Sequence, residues 1–580
     1  MYQTTRFLIA GIITGSLLTM TNTSIGQTEA KAIPKTEVHF RTSDENLQKL
    51  YTIAEEKAKL NIVPQFGDYK VLVEGAEYKN VWLETQPMGG YMYGKRDLEV
   101  ARNNIRIFMD NQREDGRLPG MLHYTNNKSS VYYNNLPGTT HCKDEKLIAY
   151  YGWFQGYCFP MPAFELYFWL NKDKEYLNQL YTSLEKFDQY LWKTRDSDKD
   201  GCLETWCVCD TGEDACVRFN GAPWAWPYDY APSAEAIKKL TVDEQKQIGI
   251  TAKNLDKIDS FPTPIESMDM MSYSYTGRDV LARISKELNN GKEKYWRSKA
   301  NEVQAKMKSY LWDTKKHACF DRDKDNKTMN ILIHNNLRCM YFGSFDQKMA
   351  DEFVKYHLVN PKEFWTPMPL PSIAANDPSF RNISGNNWSG QPEGLTFQRS
   401  ISALENYGHY AELSLIGQKF LKVVGDSLKF TQQFDPFTAT ITKNLDGYGP
   451  TALTSLEFIS RMYGIHMTQD KVLWSCLANE NQYDYAQVWG NRTFELTTRE
   501  DKVFCSVNGK VVFSFTKGIR IVSDLDGKIL EAVGIDTIDT KAEIIDHGNT
   551  LSLTIVPNTV YSYNGKFHQK KAVEFCKPIK

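Results

Sequence analysis

The ten residues Leu404-Glu405-Asn406-Tyr407-Gly408-His409-Tyr410-Ala411-Glu412-Leu413 read as the corner between two helices. Gly408 stands where one helix stops and the next begins, because helices commonly end on a left-handed residue that glycine adopts without strain. The same texture extends outward. Leu177, Leu180, Leu184, Phe187 and Leu191 recur at intervals of three and four. So do Trp296, Ala300, Val303, Met307 and Tyr310, and also Leu98, Ala101, Ile105 and Phe108. Each set lays one apolar stripe along a helix. Roughly a dozen such segments, often paired through short turns, run from about residue 40 to 465. Longer connections rich in Pro, Gly, Asn and Trp occupy about 196–232 and 359–393. Paired helices without strands between them suit a toroid of helical hairpins, (α/α)6, with its long loops gathered at one mouth. A helical solenoid would need a fixed repeat period, and the chain has none.

Past residue 466 the period changes. Phe504-Cys505-Ser506-Val507-Asn508-Gly509-Lys510-Val511-Val512-Phe513 alternates apolar and polar residues around Asn508-Gly509, a strong hairpin signal. Asp526-Gly527 offers a second, and Leu551, Leu553 and Ile555 alternate again. The expected fold is mainly α: a signal and processing region at 1–30, the toroid at 31–465, and an all-β sandwich module at 466–580. The residues near Ile33–Thr42 add an extended lead-in.

The chain has 580 residues, and its 69 basic and 71 acidic side chains leave a net charge of −2, which lacks the electrostatic footprint of a nucleic-acid binder. Arg6 precedes a 12-residue apolar run, Phe7–Leu18, and then a stretch of small polar residues. That is a secretory signal pattern, too short for a comfortable membrane span, and it predicts export to the periplasm or medium with no membrane span in the mature chain. Eleven cysteines is an odd number, so at least one is unpaired or pairs between chains. Cys202, Cys207, Cys209 and Cys216 lie close together, but their spacing matches no common zinc framework and no His is near; disulfides or free thiols are expected there.

The loop at 210–229 mixes Asp210, Asp214 and Asp229 with Trp224 and Trp226. A glycosidase needs two carboxyl groups around one bond, one to protonate the departing oxygen and one to activate the attacker. Apolar walls favour the protonated form required of the first.

The run Thr211-Gly212-Glu213-Asp214-Ala215-Cys216-Val217-Arg218-Phe219 resembles the S-G-x-D-x-S-x-R-F/W segment of trehalases and α-glucosidase I, glycoside hydrolase families 37 and 63, which include mannosylglycerate hydrolase-like enzymes. The resemblance makes Asp214 the general acid and Arg218 a substrate contact. Tyr78-Lys79-Asn80-Val81-Trp82-Leu83-Glu84-Thr85 resembles the family's Y-x-x-V-W-x-D-T segment, with Glu84 in place of the sugar-gripping Asp. Asn111-Gln112-Arg113-Glu114-Asp115-Gly116-Arg117-Leu118-Pro119 is similar to the family's N-Q-x-x-D-G-x-x-P turn, and Asp269 falls at a further acid. Asn387-Trp388-Ser389-Gly390-Gln391-Pro392 resembles a Y-W-R-G-P mouth loop. The resemblance spans about 70–465, and the shared order of the motifs carries it.

One departure bears on mechanism. Where these relatives place a general base Glu before a Tyr-Asp/Asn-Pro turn, this chain has Gln432-Gln433-Phe434-Asp435-Pro436. An amide cannot take a proton from water near neutral pH. Glu393, which follows the Trp388 loop and opens the next helix, is the expected substitute; Asp435 is the other. The implied reaction is inverting hydrolysis of an α-linked glycoside or oligosaccharide, with Glu84, Arg218 and Asp269 on hydroxyls and Trp82, Trp224 and Trp388 walling the subsites.

Two other readings remain open: a lyase or epimerase using Tyr228, Tyr230 or Tyr448, and a sugar-binding toroid without turnover. No cofactor and no metal is expected. Asp196-Ser197-Asp198-Lys199-Asp200-Gly201 begins like a calcium loop, but Cys207 stands at its twelfth position instead of Glu, so the segment reads as a structural turn.

Overall fold

A computed structural model describes residues 32–125, 136–442 and 445–578. The signal-like segment at 1–30 lies outside the described residues. Among those described, twelve helices of seven residues or longer follow one another: α1 (Glu45–Leu60), α2 (Gln86–Tyr93), α3 (Leu98–Asp110), α4 (Pro160–Trp169), α5 (Lys174–Thr194), α6 (Met268–Leu288), α7 (Glu293–Tyr310), α8 (Asn335–Tyr341), α9 (Gln347–Phe353), α10 (Gly394–Tyr407), α11 (Tyr410–Ser427) and α12 (Gly449–Tyr463). The stripes read from sequence are the buried faces of α3, α5 and α7, except that Tyr310 at the end of α7 is only half-buried. Gly408 ends α10 at φ 87, and its amide donates back to the carbonyls of Leu404 and Glu405.

Burial divides the helices into two kinds. Every residue of α8 and of α12 is buried, whereas α1 and α7 bury only one stripe. A helix enclosed on all sides must pack against several neighbours. Accordingly α2 touches α4, α4 touches α6, α6 touches α8, α8 touches α10, α10 touches α12, and α12 touches α2. The single-stripe helices lie against members of this series, α3 on α2, α5 on α4, α7 on α6, α11 on α10 and α1 on α12.

The helical stretch is not free of strands, contrary to the sequence reading. Val81–Trp82, Met121–Tyr124, Leu147–Tyr150 and Thr139–His141 form a small sheet, and Glu204–Thr205 pairs with Ile265–Glu266. These strands are too short to leave a period-2 signature.

From Ile465 onward the chain supplies twelve strands to two antiparallel sheets, six to each, and the N-terminal strand Thr36–Thr42 makes one of them seven-stranded. Their inner faces meet at Trp474, whose indole lies 6.1 Å from Phe494 and 5.7 Å from Phe513. Asn508 and Gly509 both have positive φ, 51 and 76, as the tight turn between Lys502–Val507 and Lys510–Thr516 requires. The lead-in is an edge strand, Thr36–Thr42, paired with Tyr483–Trp489 so that Phe40 faces Tyr485.

A buried ionic network joins the helices to the sheets. Lys95 meets Glu457 at 2.8 Å, Arg461 meets Glu457 at 2.7 Å and Glu405 at 3.1 Å, and Arg520 of the smaller sheet meets Glu405 at 2.9 Å. Residues from Ile33 onward form one compact unit. Among the described residues no helix is long and apolar enough to cross a membrane.

Candidate active site

The segment carrying Asp214 is tied down along its length. Asp210 is buried and paired with Arg195 at 2.6 Å, and its carboxylate accepts from the amides of Phe154 and Trp206. Further on, the Trp388 amide donates to the Asp214 carbonyl at 3.1 Å, the Val217 amide donates to Ser389 Oγ, and that hydroxyl donates to the Ala215 carbonyl. Ala215 sits at φ 55, a left-handed conformation that a non-glycine residue keeps only where its surroundings impose it. Together these contacts fix a half-buried Asp214 side chain. Its Oδ2 accepts from Asn386 Nδ2 at 2.6 Å, and Cys209 Sγ donates to Oδ1 at 3.4 Å.

Asn386 links this acid to the diverged segment. Its Oδ1 accepts from Gln432 Nε2 at 2.7 Å, while Gln432 Oε1 accepts from the Tyr78 hydroxyl at 2.9 Å. Its own amide donates to Gln433 Oε1 at 2.7 Å, and Gln433 Nε2 donates to Glu393 Oε1 at 2.6 Å. Asp214 and Glu393 thus belong to one polar cluster, and both bear electrostatically on the Tyr78 hydroxyl. Glu393 is the N-cap residue of α10, yet its side chain makes no capping bond to the helix amides; it turns to Gln433 instead.

Asp435, the other candidate base, is a turn residue. Its Oδ1 accepts from the amides of Phe437 and Thr438, and its Oδ2 from Asn382. Burial opposes ionisation, but these donors together outweigh it and hold its carboxyl below the ordinary value, which makes it a poor base.

Beneath the acid lies a buried charge network. Arg218 pairs with Glu213, with Asp269 at 3.2 Å and with Asp321 at 2.5 Å. Glu213 also accepts from Thr211, Asn335 and His334 Nε2. Burial works against its charge, but Arg218, Arg338 and His334 hold Glu213 well below the ordinary range. Burial raises Asp321 to about 6 despite Arg218. His334 is pushed down to about 4, first by burial and then by Arg338, although Glu213 pulls the other way. The neutral ring donates from Nε2 to Glu213, and Thr396 Oγ1 lies 3.2 Å from Nδ1.

A stability consequence follows. Between about pH 4 and 6.5 the unfolded chain binds a proton at His334 that the folded chain does not, so stability rises with pH across that window. Acidifying from pH 7 to 5 costs on the order of 2 kcal/mol at this residue. Urea unfolding at the two pH values checks this: His334→Asn flattens the pH dependence, and an unchanged slope contradicts it.

The predicted substrate contacts divide into two groups. Trp82 and Trp224 are half-buried and are joined by a residue the sequence reading missed: the buried Trp153 stacks on Trp82 at 6.3 Å and meets Trp224 at 5.0 Å. Asp214, Cys209 and Trp224 also border a cavity of about 690 Å³, within the size range of ligand pockets. Arg218, Asp269 and Trp388 are enclosed instead. The first two pair with each other inside the charge network, and Trp388 lies 5.5 Å from the His334 ring with Arg338 over its face. Glu84 is buried against Arg399 at 2.8 Å and accepts from Gln155 Nε2 at 3.3 Å.

Gly212 permits that placement. At φ 70, a Cβ on it would stand 2.6 Å from the Glu84 carboxylate, so no other residue fits between Glu84 and the acid loop. Gln155, Asn386 and His334 carried no motif, Gln433 stood inside the diverged segment without a role, and only aromatic density around Trp153-Phe154-Gln155-Gly156-Tyr157 could have flagged the first. All eleven cysteines are free thiols.

Cleaving a glycosidic bond takes two carboxyl groups, and this helical framework gathers the carboxyls of Asp214 and Glu393 into one hydrogen-bonded cluster, with Trp224 bordering the same cavity as Asp214. The protein is a glycoside hydrolase. More particularly, the chain belongs to the mannosylglycerate hydrolase MGH1-like glycoside hydrolase domain family, which it matches over residues 92–455.

Among solved structures it is similar to the family 63 mannosylglycerate hydrolase of Thermus thermophilus in complex with Tris and D-glycerate, at 16% identity over 71% of this chain and 100% of that one, with a TM-score of 0.54. The complex of the same hydrolase with glucose gives 16% identity over 71% of this chain and 100% of that one, with a TM-score of 0.53. A sialidase structure is similar at 13% identity over 84% of this chain and 41% of that one, with a TM-score of 0.57. At these identities the likeness is one of fold. No curated protein matches the chain.

Proposed function

We propose that this protein is an exported inverting glycosidase that cleaves an α-linked hexoside or oligosaccharide in the mouth of an (α/α)6 toroid. The succession of helix contacts that returns from α12 to α2 supports the toroid. The apolar run at 7–18 supports export. The observation that carries the chemistry is the hydrogen-bonded path Asp214–Asn386–Gln433–Glu393.

In this reading Asp214, half-buried beside Trp224, protonates the glycosidic oxygen. Glu393 deprotonates water on the opposite face, where Gln432 cannot. Inversion needs roughly 6.5–9.5 Å between the two carboxyl groups so that the water fits. Asn386 bridges both sides, so it withdraws or exchanges its bonds when sugar enters. Glu84, clamped by Arg399 and Gln155, reaches a hydroxyl, and the Trp82–Trp153–Trp224 wall supports the ring faces. The glucose and D-glycerate held by the Thermus hydrolase make α-glycosyl glycerates and α-linked disaccharides the first panel to test.

Proton NMR during the first turnovers decides the stereochemistry. The β-hemiacetal is expected to appear first and then mutarotate; an initial α-anomer overturns the inverting reading.

A further inference from the structure

Cys209 sits in a short helical turn, Val208–Asp210, directly ahead of the acid loop. Its backbone is fixed on both sides: its amide donates to the Trp224 carbonyl at 3.1 Å, and its carbonyl accepts from the Gln155 amide at 2.9 Å. Trp224 belongs to the indole wall, and Gln155 donates through its side chain to Glu84. The next residue, Asp210, is locked by Arg195. The thiol is 5% exposed and borders the same cavity as Asp214. Burial first, and then the Asp214 charge, push it well above the ordinary thiol range, so it stays protonated and donates.

The two oxygens of Asp214 therefore meet unlike donors. Oδ1 faces Cys209 Sγ at 3.4 Å, on a frame tied to the aromatic wall, whereas Oδ2 faces Asn386 Nδ2 at 2.6 Å. Asn386 follows five exposed residues, 381–385, and a Cβ on Gly385 would meet nothing within 4 Å. The Asn386 carboxamide also accepts from Gln432 Nε2 at 2.7 Å, so it keeps a partner when it leaves the acid. The donors differ in strength as well. Strong donors stabilise a carboxylate and strip it of the proton that a general acid must carry, whereas a thiol is a weak donor that fixes an oxygen while stabilising its charge little.

We propose that the two oxygens divide the work: Oδ1 stays on the Cys209 thiol throughout, and Oδ2, released by Asn386 when sugar enters, carries the proton to the glycosidic oxygen. Cys209 is thus a positioning residue for Asp214, on the reading of that residue as the general acid. In the step, the Oδ2–H bond breaks as the proton bonds to the glycosidic oxygen, and the bond from that oxygen to the anomeric carbon gives it the electron pair. Water bonds to the anomeric carbon and passes a proton to Glu393. The proton that Asp214 gives up is matched by the one that Glu393 gains, and exchange with solvent restores both groups. Without the thiol the carboxyl is free to turn about its last bond, and a misplaced proton donor costs rate.

The test compares the full chain with its Cys209→Ala variant on an unactivated α-glycoside and on the matching α-glycosyl fluoride, which needs no acid. At the pH optimum the variant is expected to lose about tenfold in kcat on the glycoside and less than about twofold on the fluoride. Tyr78 and Glu84 feel the Asp214 charge, Glu393 bears on the same Tyr78 hydroxyl, and Lys257 borders the cavity; the substitution touches none of them. The basic limb of the glycoside pH profile is therefore expected to move up by about half a unit, since a donor to the charged form is removed. Cys209→Ser, which returns a hydroxyl donor, is expected to recover the glycoside rate to within about threefold of native. Equal losses on the two substrates, an unmoved limb, or the same loss in the alanine and serine variants overturns the proposal and leaves Cys209 a packing residue. The acid assignment fails separately: full glycoside activity in Asp214→Asn removes it and this proposal together, whereas loss in Asp214→Asn with none in Cys209→Ala overturns the role of the thiol alone.

Discussion

Asp214→Asn is expected to lower kcat on an unactivated α-glycoside by about 10³-fold or more, within or above the usual range for loss of general acid catalysis. The amide keeps the shape and still accepts one hydrogen bond, so the loop fixed by Trp388, Ser389 and Ala215 should hold its course. What disappears is the proton for the departing oxygen. A glycosyl fluoride needs no such proton, since fluoride leaves unaided. The variant should therefore hydrolyse the matching α-glycosyl fluoride within about tenfold of the native rate. Stopped assays on the two substrates measure this directly. Full activity on the unactivated glycoside would remove Asp214 from the mechanism, and equal loss on both substrates would give it a binding role instead.

Glu393→Gln is expected to cost about 10³-fold on both substrates, because activating water is required whatever the leaving group. The competing candidate separates cleanly. Asp435 spends its oxygens on the Phe437 and Thr438 amides and on Asn382, so Asp435→Asn should change kcat by less than about threefold while loosening the turn. Glu393 instead makes no capping bond on α10 and faces Gln433. The reverse pattern, with Asp435→Asn inactive and Glu393→Gln active, would move the base to the mouth turn. Azide sharpens the test. In the Glu393 variant a small anionic nucleophile needs no deprotonation, and a glycosyl azide of inverted configuration is the expected product.

Residues close in sequence announced themselves. The three-and-four spacing of Leu177 to Leu191 fixes a helical face because neighbouring turns repeat it, and Asn508-Gly509 fixes a hairpin because both residues must take positive φ. The segment around Asp214 was legible through its motif. The opening position of Glu393 was legible through the Trp388 loop before it.

Contacts between distant parts of the chain left no such trace. Nothing local tells Arg218 that Asp269 and Asp321 will close around it, or tells Trp153 that it will stand between Trp82 and Trp224. The acidic turn at 196–201 makes the point most sharply. Judged along the chain it is an isolated acidic turn, and only the pairing of two short strands sets Glu266 opposite Glu204 beside it. Periodicity and turn chemistry are properties of neighbouring residues, so they survive in a one-dimensional record. Charge clustering and burial depend on which surfaces meet, and folding alone brings those surfaces together.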